Sequence, residues 1–185
     1  MLGESLDVSC TDRRRWPGST LCAILHATTT SASEHNSMWL RFILYGLGGW
    51  CSEIVWTATR DRVRGRVHDW KLKGTTYLWM FPIYGGALAF LYEPAHDAIR
   101  SLAWLPRGSI YMIGFFAIEY FTGWLLKRLT GSCPWDYSAW SKWSVNGYIR
   151  LDYAPIWFFV GLGLEPVHDF LVQLIPAIQP ALMQP

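Results

Sequence analysis

The string Glu-Pro-x-His-Asp occurs twice, at residues 93–97 and 165–169, and each copy closes an apolar stretch of membrane-span character. An acid, an imidazole and a proline in such a place restrict the fold severely. In hydrocarbon every backbone polar group must be satisfied internally, and an ionised side chain must be paired, face the protein interior or stay neutral. Each copy is preceded by a related frame: Gly74 stands eight residues before Pro82-Ile83-Tyr84, and Gly147 stands eight before Pro155-Ile156-Trp157. The chain therefore reads as an internal duplication.

The surrounding composition sets the class. A chain of 185 residues has room for one domain, and 51% hydrophobic residues with 12 tryptophans is far from soluble usage, so this is an all-α integral membrane protein by expectation. A net charge of +2 supplies no basic face for nucleic acid. The cysteines at 10, 22, 51 and 133 lack Cys-x-x-Cys spacing, which points to neither a zinc knuckle nor a disulfide framework.

Crossing a bilayer takes about 20 apolar helical residues. The windows 39–59, 77–98, 109–126 and 153–175 meet this length, predicting a four-helix transmembrane bundle made of two tandem helical hairpins, within a membrane domain at 38–176. The apolar run Tyr153–Leu164 is too short to cross alone, so the fourth span must continue through Glu165-Pro166, placing Glu165 near mid-membrane. For the second span two readings stand: one continuous helix to Ala98, or a shorter span followed by a separate interfacial helix opened by Glu93-Pro94, since proline suits a first helical turn. Residues 1–37, with acids, three arginines and a short apolar run broken by His26, are expected to form an unstructured extension, and 177–185 a short tail. Basic residues concentrate at 60–73 and 127–150 against Arg100 and Arg107 between them, so loops 60–76 and 127–152 should be cytoplasmic.

Glu53 and Glu119 occupy corresponding places on the first and third spans, giving four helices with four intramembrane carboxylates: Glu53, Glu93, Glu119 and Glu165. Three chemistries fit them. With His96 and His168 they reproduce the chain order of a carboxylate bundle, one Glu on each of two helices and Glu-x-x-His on the other two, which would hold two divalent metal ions, iron or manganese, in an enzyme acting on lipid or quinone. Alternatively, glutamates and imidazoles relay protons or bind a small solute, ion or partner in a permease-like protein, for which four spans would require a homo-oligomer. Or the acids simply join helices through polar contacts, Arg100 being one available partner. The segment Cys133-Pro134-Trp135-Asp136-Tyr137-Ser138 is either a rigid connector, with Asp136 turned onto backbone amides, or a loop over the bundle with Cys133 and Asp136 facing a ligand.

The strings Gly49-Trp50-Cys51-Ser52-Glu53, Phe81-Pro82-Ile83-Tyr84-Gly85, Glu119-Tyr120-Phe121-Thr122-Gly123 and above all Cys133-Pro134-Trp135-Asp136-Tyr137-Ser138 resemble the transmembrane protein 229 family, also described as a putative ABC-transporter type IV domain. The resemblance runs from about Phe42 to Phe170. It implies a small multi-pass membrane protein in which the glutamates are more typical of the family than His96 and His168. The chain carries no Walker motif, and so no ATPase domain of its own.

Overall fold

The computed structural model describes the backbone of residues 19–182 except 67, 69 and 140, and the side chains of residues 36–178 with the same exceptions. The chain is mostly helical: α1 (Ser19–Val63), α2 (Met80–Gly86), a π-helical segment (Ala87–Tyr92), α3 (Glu93–Ile99), α4 (Trp104–Thr130) and α5 (Ala154–Leu182). Residues 1–18 of the expected extension lie outside the described residues. Residues 19–37 are helical and form the N-terminal part of α1.

Local chemistry explains the boundaries. The end of α1 carries Arg60 and Arg62 in its last turn, and α4 carries Lys127 and Arg128, cations that favour the negative end of a helix. Gly131, at φ +82°, closes α4 by donating its amide to the Lys127 carbonyl, a left-handed cap that a glycine adopts without cost. From Met80 to Ile99 the rod is unbroken. Tyr92 and Glu93 keep right-handed helical angles into Pro94, so the second of the two readings, a separate helix opening at Glu93-Pro94, is corrected to one continuous helix. It survives the proline because the turn before it is wound wider: the Glu93 amide bonds to Leu88 O, five residues back.

Between α4 and α5 the chain forms a small antiparallel hairpin, β1 (Ser144–Val145) and β2 (Ile149–Arg150), pairing Ser144 with Arg150 and Val145 with Ile149. Asn146 and Gly147 both take positive φ, +53° and +79°, as the tight hairpin turn demands.

α1 packs chiefly on α2, and α4 on α5; the two pairs meet largely through α1 and α5. Close approach depends on glycine. A Cβ on Gly85 would stand 2.6 Å from the Phe42 carbonyl oxygen, and one on Gly161 would enter the Tyr111 side chain. The buried core is Tyr45, Leu88, Ala89, Tyr92 and Tyr111. Three of its five members are tyrosines, which calls for polar partners at the centre. Among the described residues two helical stretches, Trp104–Thr130 and Leu151–Ile178, are long and apolar enough to cross a membrane. Their outward residues include Ile113, Phe121, Phe159 and Phe170, all more than half exposed, a surface suited to lipid.

Candidate functional site

Residues four apart on α1, Arg41 and Tyr45, share a face with each other, as do residues three apart on α3, Glu93 and His96. The same arrangement occurs on α4 with Arg107 and Tyr111, and on α5 with Glu165 and His168. Packing brings the eight side chains into one network. Arg41 Nε lies 2.9 Å from Glu93 Oε1 and donates to Oε2 at 3.0 Å. Arg107 Nε lies 2.9 Å from Glu165 Oε1, and its Nη2 donates to Oε2 at 3.1 Å. Two carboxylates that would be costly alone are thus neutralised by two guanidiniums in shared burial.

The imidazoles cross between the helix pairs. His96 Nδ1 is 2.9 Å from the Tyr111 hydroxyl, which donates to Glu165 Oε1 at 3.1 Å. His168 Nδ1 is 3.1 Å from the Tyr45 hydroxyl and 3.6 Å from Glu93 Oε1. The two imidazole rings meet edge to face with centroids 5.0 Å apart. Tyr92 stacks on Tyr111 at 4.8 Å and donates to the Gly161 carbonyl at 2.7 Å, sealing the network against the core. His96 Nε2 also lies 3.7 Å from Asp169, whose side chain is 63% exposed, so the site opens to solvent on that side.

Glu53 and Glu119 belong to a second layer. Glu53 accepts from Thr76 Oγ1 at 2.6 Å. Glu119 accepts from the Tyr137 hydroxyl at 2.8 Å and from Trp157 Nε1 at 3.3 Å. Glu53 is twelve residues from Arg41 along α1, and Glu119 twelve from Arg107 along α4, which puts the layers roughly 18 Å apart at 1.5 Å per residue. Of the six residues expected to share one metal cluster, Glu93, His96, Glu165 and His168 come together, and Glu53 and Glu119 lie in the other layer. Glu165 lies near the middle of the apolar stretch Leu151–Ile178, whereas its partner Arg107 stands in the first turn of α4.

The connector 131–153 resolves differently from a ligand loop. Cys133 is buried, and burial pushes its thiol above the ordinary range, which removes it as a nucleophile. Asp136 is exposed and accepts from the Ser138 amide at 2.9 Å and from the Ser138 hydroxyl, contacts that hold its carboxylate below the usual range. Both are explained by the turn they build. Tyr137, by contrast, reaches under the bundle to Glu119; burial and that neighbouring carboxylate push its hydroxyl far up, so it remains a donor.

Arg41, Tyr45 and Tyr111 were not legible as site residues, nor was Arg107 beyond its contribution to loop charge. Their signal was present in the spacing: Arg41 to Arg107, Tyr45 to Tyr111 and Glu53 to Glu119 are each 66 residues apart. Arg100, the partner expected for a glutamate, is replaced in that role by Arg41 and Arg107.

No solved structure matches the chain. The family model described as putative ABC-transporter type IV matches residues 40–184, a stretch containing every residue of both polar layers, and the chain belongs to that family.

Proposed function

We propose that this is a four-span membrane protein, built from two tandem hairpins of common orientation, that binds a small ion or solute in the Arg–Glu–Tyr–His chamber and acts in a permease-like manner as an oligomer. The resemblance to the transmembrane protein 229 family accords with this architecture. Met80–Ile99 contains 20 residues, about 30 Å of helix, which matches the hydrocarbon thickness. Glu93 of this helix pairs with Arg41 of α1, which keeps both charges within the protein.

The duplication is supported by equivalent contacts rather than by residue identity alone. First helices correspond at an offset of 66 residues, carrying Arg, Tyr and Glu; second helices correspond at 72, carrying Glu, His and Asp. Pro82 precedes Glu93 by eleven residues whereas Pro155 precedes Glu165 by ten. The π-helical segment Ala87–Tyr92 absorbs the extra residue and keeps Glu93 facing the network. Two spans per repeat give both halves one orientation, related by an axis along the membrane normal. Thr76 and Tyr137 bring both basic loops to the Glu53/Glu119 end, so loops 60–76 and 127–152 share a side, which the basic excess makes cytoplasmic. The Arg–Glu–Tyr–His chamber then faces the opposite compartment.

The observation that carries the binding role is the buried Glu93 Oε1: it has ion-pair neighbours but no well-angled hydrogen bond, an acceptor with capacity left at the centre of the network. The alternative of a carboxylate-bridged di-metal enzyme acting on lipid or quinone needs all four glutamates at one level, an arrangement the two layers do not provide. Reconstitution into liposomes tests the proposal. Protein-loaded vesicles carrying pH-sensitive and metal-sensitive dyes should pass protons or cations faster than empty ones, and Glu93→Gln/Glu165→Gln should return the flux to background. Wild-type vesicles that match empty ones for protons, alkali cations and divalent cations would contradict it.

A further inference from the structure

We propose that the solvent-facing mouth of the chamber is a mononuclear site for a divalent transition-metal ion, ligated by Nε2 of His96, Nε2 of His168 and the carboxylate of Asp97. Ligand atoms from these three residues lie within 4.8 Å of one another. The two histidines are buried and Asp97 is exposed, so the cluster has a held side and an entry side. Asp169, 3.7 Å from His96 Nε2, stands ready as a fourth ligand.

The network selects the nitrogen that would bind. Tyr111 gives its hydroxyl hydrogen to Glu165, so its oxygen is left to accept a hydrogen from His96 Nδ1. The Tyr45 hydroxyl lies 3.1 Å from His168 Nδ1, the counterpart of the Tyr111 contact with His96. The His96 imidazole is therefore held in the tautomer whose lone pair is on Nε2, and the His168 contact with Tyr45 is compatible with the same tautomer. A ring whose other nitrogen is fixed by an oriented partner is the usual environment of a ligating histidine. For His96 that partner is itself fixed by an arginine-paired glutamate, giving a chain of Arg107, Glu165, Tyr111 and His96.

Charge and donor type decide the class of ion. Glu93 and Glu165 are already balanced by Arg41 and Arg107, which leaves one or two aspartates to offset a dication. Two imidazoles with one or two carboxylates suit zinc, ferrous iron or cobalt, whereas magnesium and calcium prefer oxygen alone. Bonds of about 2.0–2.2 Å in a tetrahedral shell put ligand atoms on the order of 3.5 Å apart, so the cluster has to contract by about 1 Å. The exposed Asp97 side chain has the freedom to supply that movement.

This inference rests on the chamber being a binding site; it does not rest on transport. The test is titration of chelator-stripped, full-length protein in detergent with Zn²⁺ by calorimetry and with Co²⁺ by visible absorption. One ion per chain should bind, with saturable Co²⁺ bands. His96→Gln and His168→Gln should abolish those bands, Asp97→Asn should weaken binding at least several-fold, and Glu119→Gln should leave it unchanged. Tyr45→Phe and Tyr111→Phe should each weaken it about 10–100-fold through loss of the oriented Nδ1 partner. Asp97 is outside the core, so its variant remains informative if a histidine variant misfolds. The proposal is overturned if wild-type protein shows no saturable binding, or if binding persists in the folded His96→Gln/His168→Gln protein. Metal binding without flux would remove the permease-like reading and leave this site standing; flux without metal binding would do the reverse.

Discussion

Arg41 on α1 and Glu93 on α3 illustrate why single residues in this protein cannot be weighed by hydropathy alone. Each charge is costly when buried alone, yet their pairing at 2.9 Å makes removal of one worse than removal of both. Arg41→Met should therefore destabilise the detergent-solubilised protein by about 3–5 kcal/mol, because it strands a buried carboxylate. Arg41→Met/Glu93→Met should recover much of that loss. Denaturant unfolding of the two single variants and the double variant measures the coupling, and strictly additive losses would show that the pair does not interact. The glutamates and histidines were legible from their repetition and depth. Their partners were not, since a lone arginine or tyrosine near a span end reads equally well as an interfacial anchor. Only the common 66-residue spacing distinguishes Arg41, Tyr45, Arg107 and Tyr111 from such anchors.

At the scale of the element, the π-helical segment is the most informative departure from regular structure. If it exists to absorb one surplus residue, deletion of the exposed Phe90 should convert it to ordinary α-helix and keep Glu93 and His96 in register. The melting temperature should then change by only a few degrees. Deletion of Val160 from α5, which has no such segment, should rotate Glu165 and His168 by about 100° relative to Pro155 and unfold or aggregate the protein. Thermal unfolding and size-exclusion behaviour distinguish the two. Equal damage would mean that the segment is not a register device. The helices were legible from apolar windows of span length, and the Asn146-Gly147 pair could have revealed the β1–β2 hairpin, because two consecutive positive-φ positions favour these residues. The continuous path through Pro94 was not legible: proline permits either a helix start or a tolerated interior position, and the wider turn upstream decides between them.

For the whole molecule, the separation into two polar layers determines what the protein can do. Four glutamates on four helices suggested one cluster, but sequence spacing does not fix how far α1 continues beyond Glu53 before the chain turns back. The helix ends at Val63, and the return through Thr75 and Thr76 leaves Glu53 near the basic loops while Arg41 meets Glu93 at the other end. The account therefore requires His96 and His168 to be neighbours across the two hairpins and Glu53 to be remote from Glu93. Cysteine cross-linking in a background lacking native cysteines tests this most directly. His96→Cys/His168→Cys should be joined within a single chain by a short bifunctional thiol reagent, and Glu53→Cys/Glu93→Cys should not. Cross-linking of the second pair, or none of the first in folded protein, would contradict the two-layer arrangement.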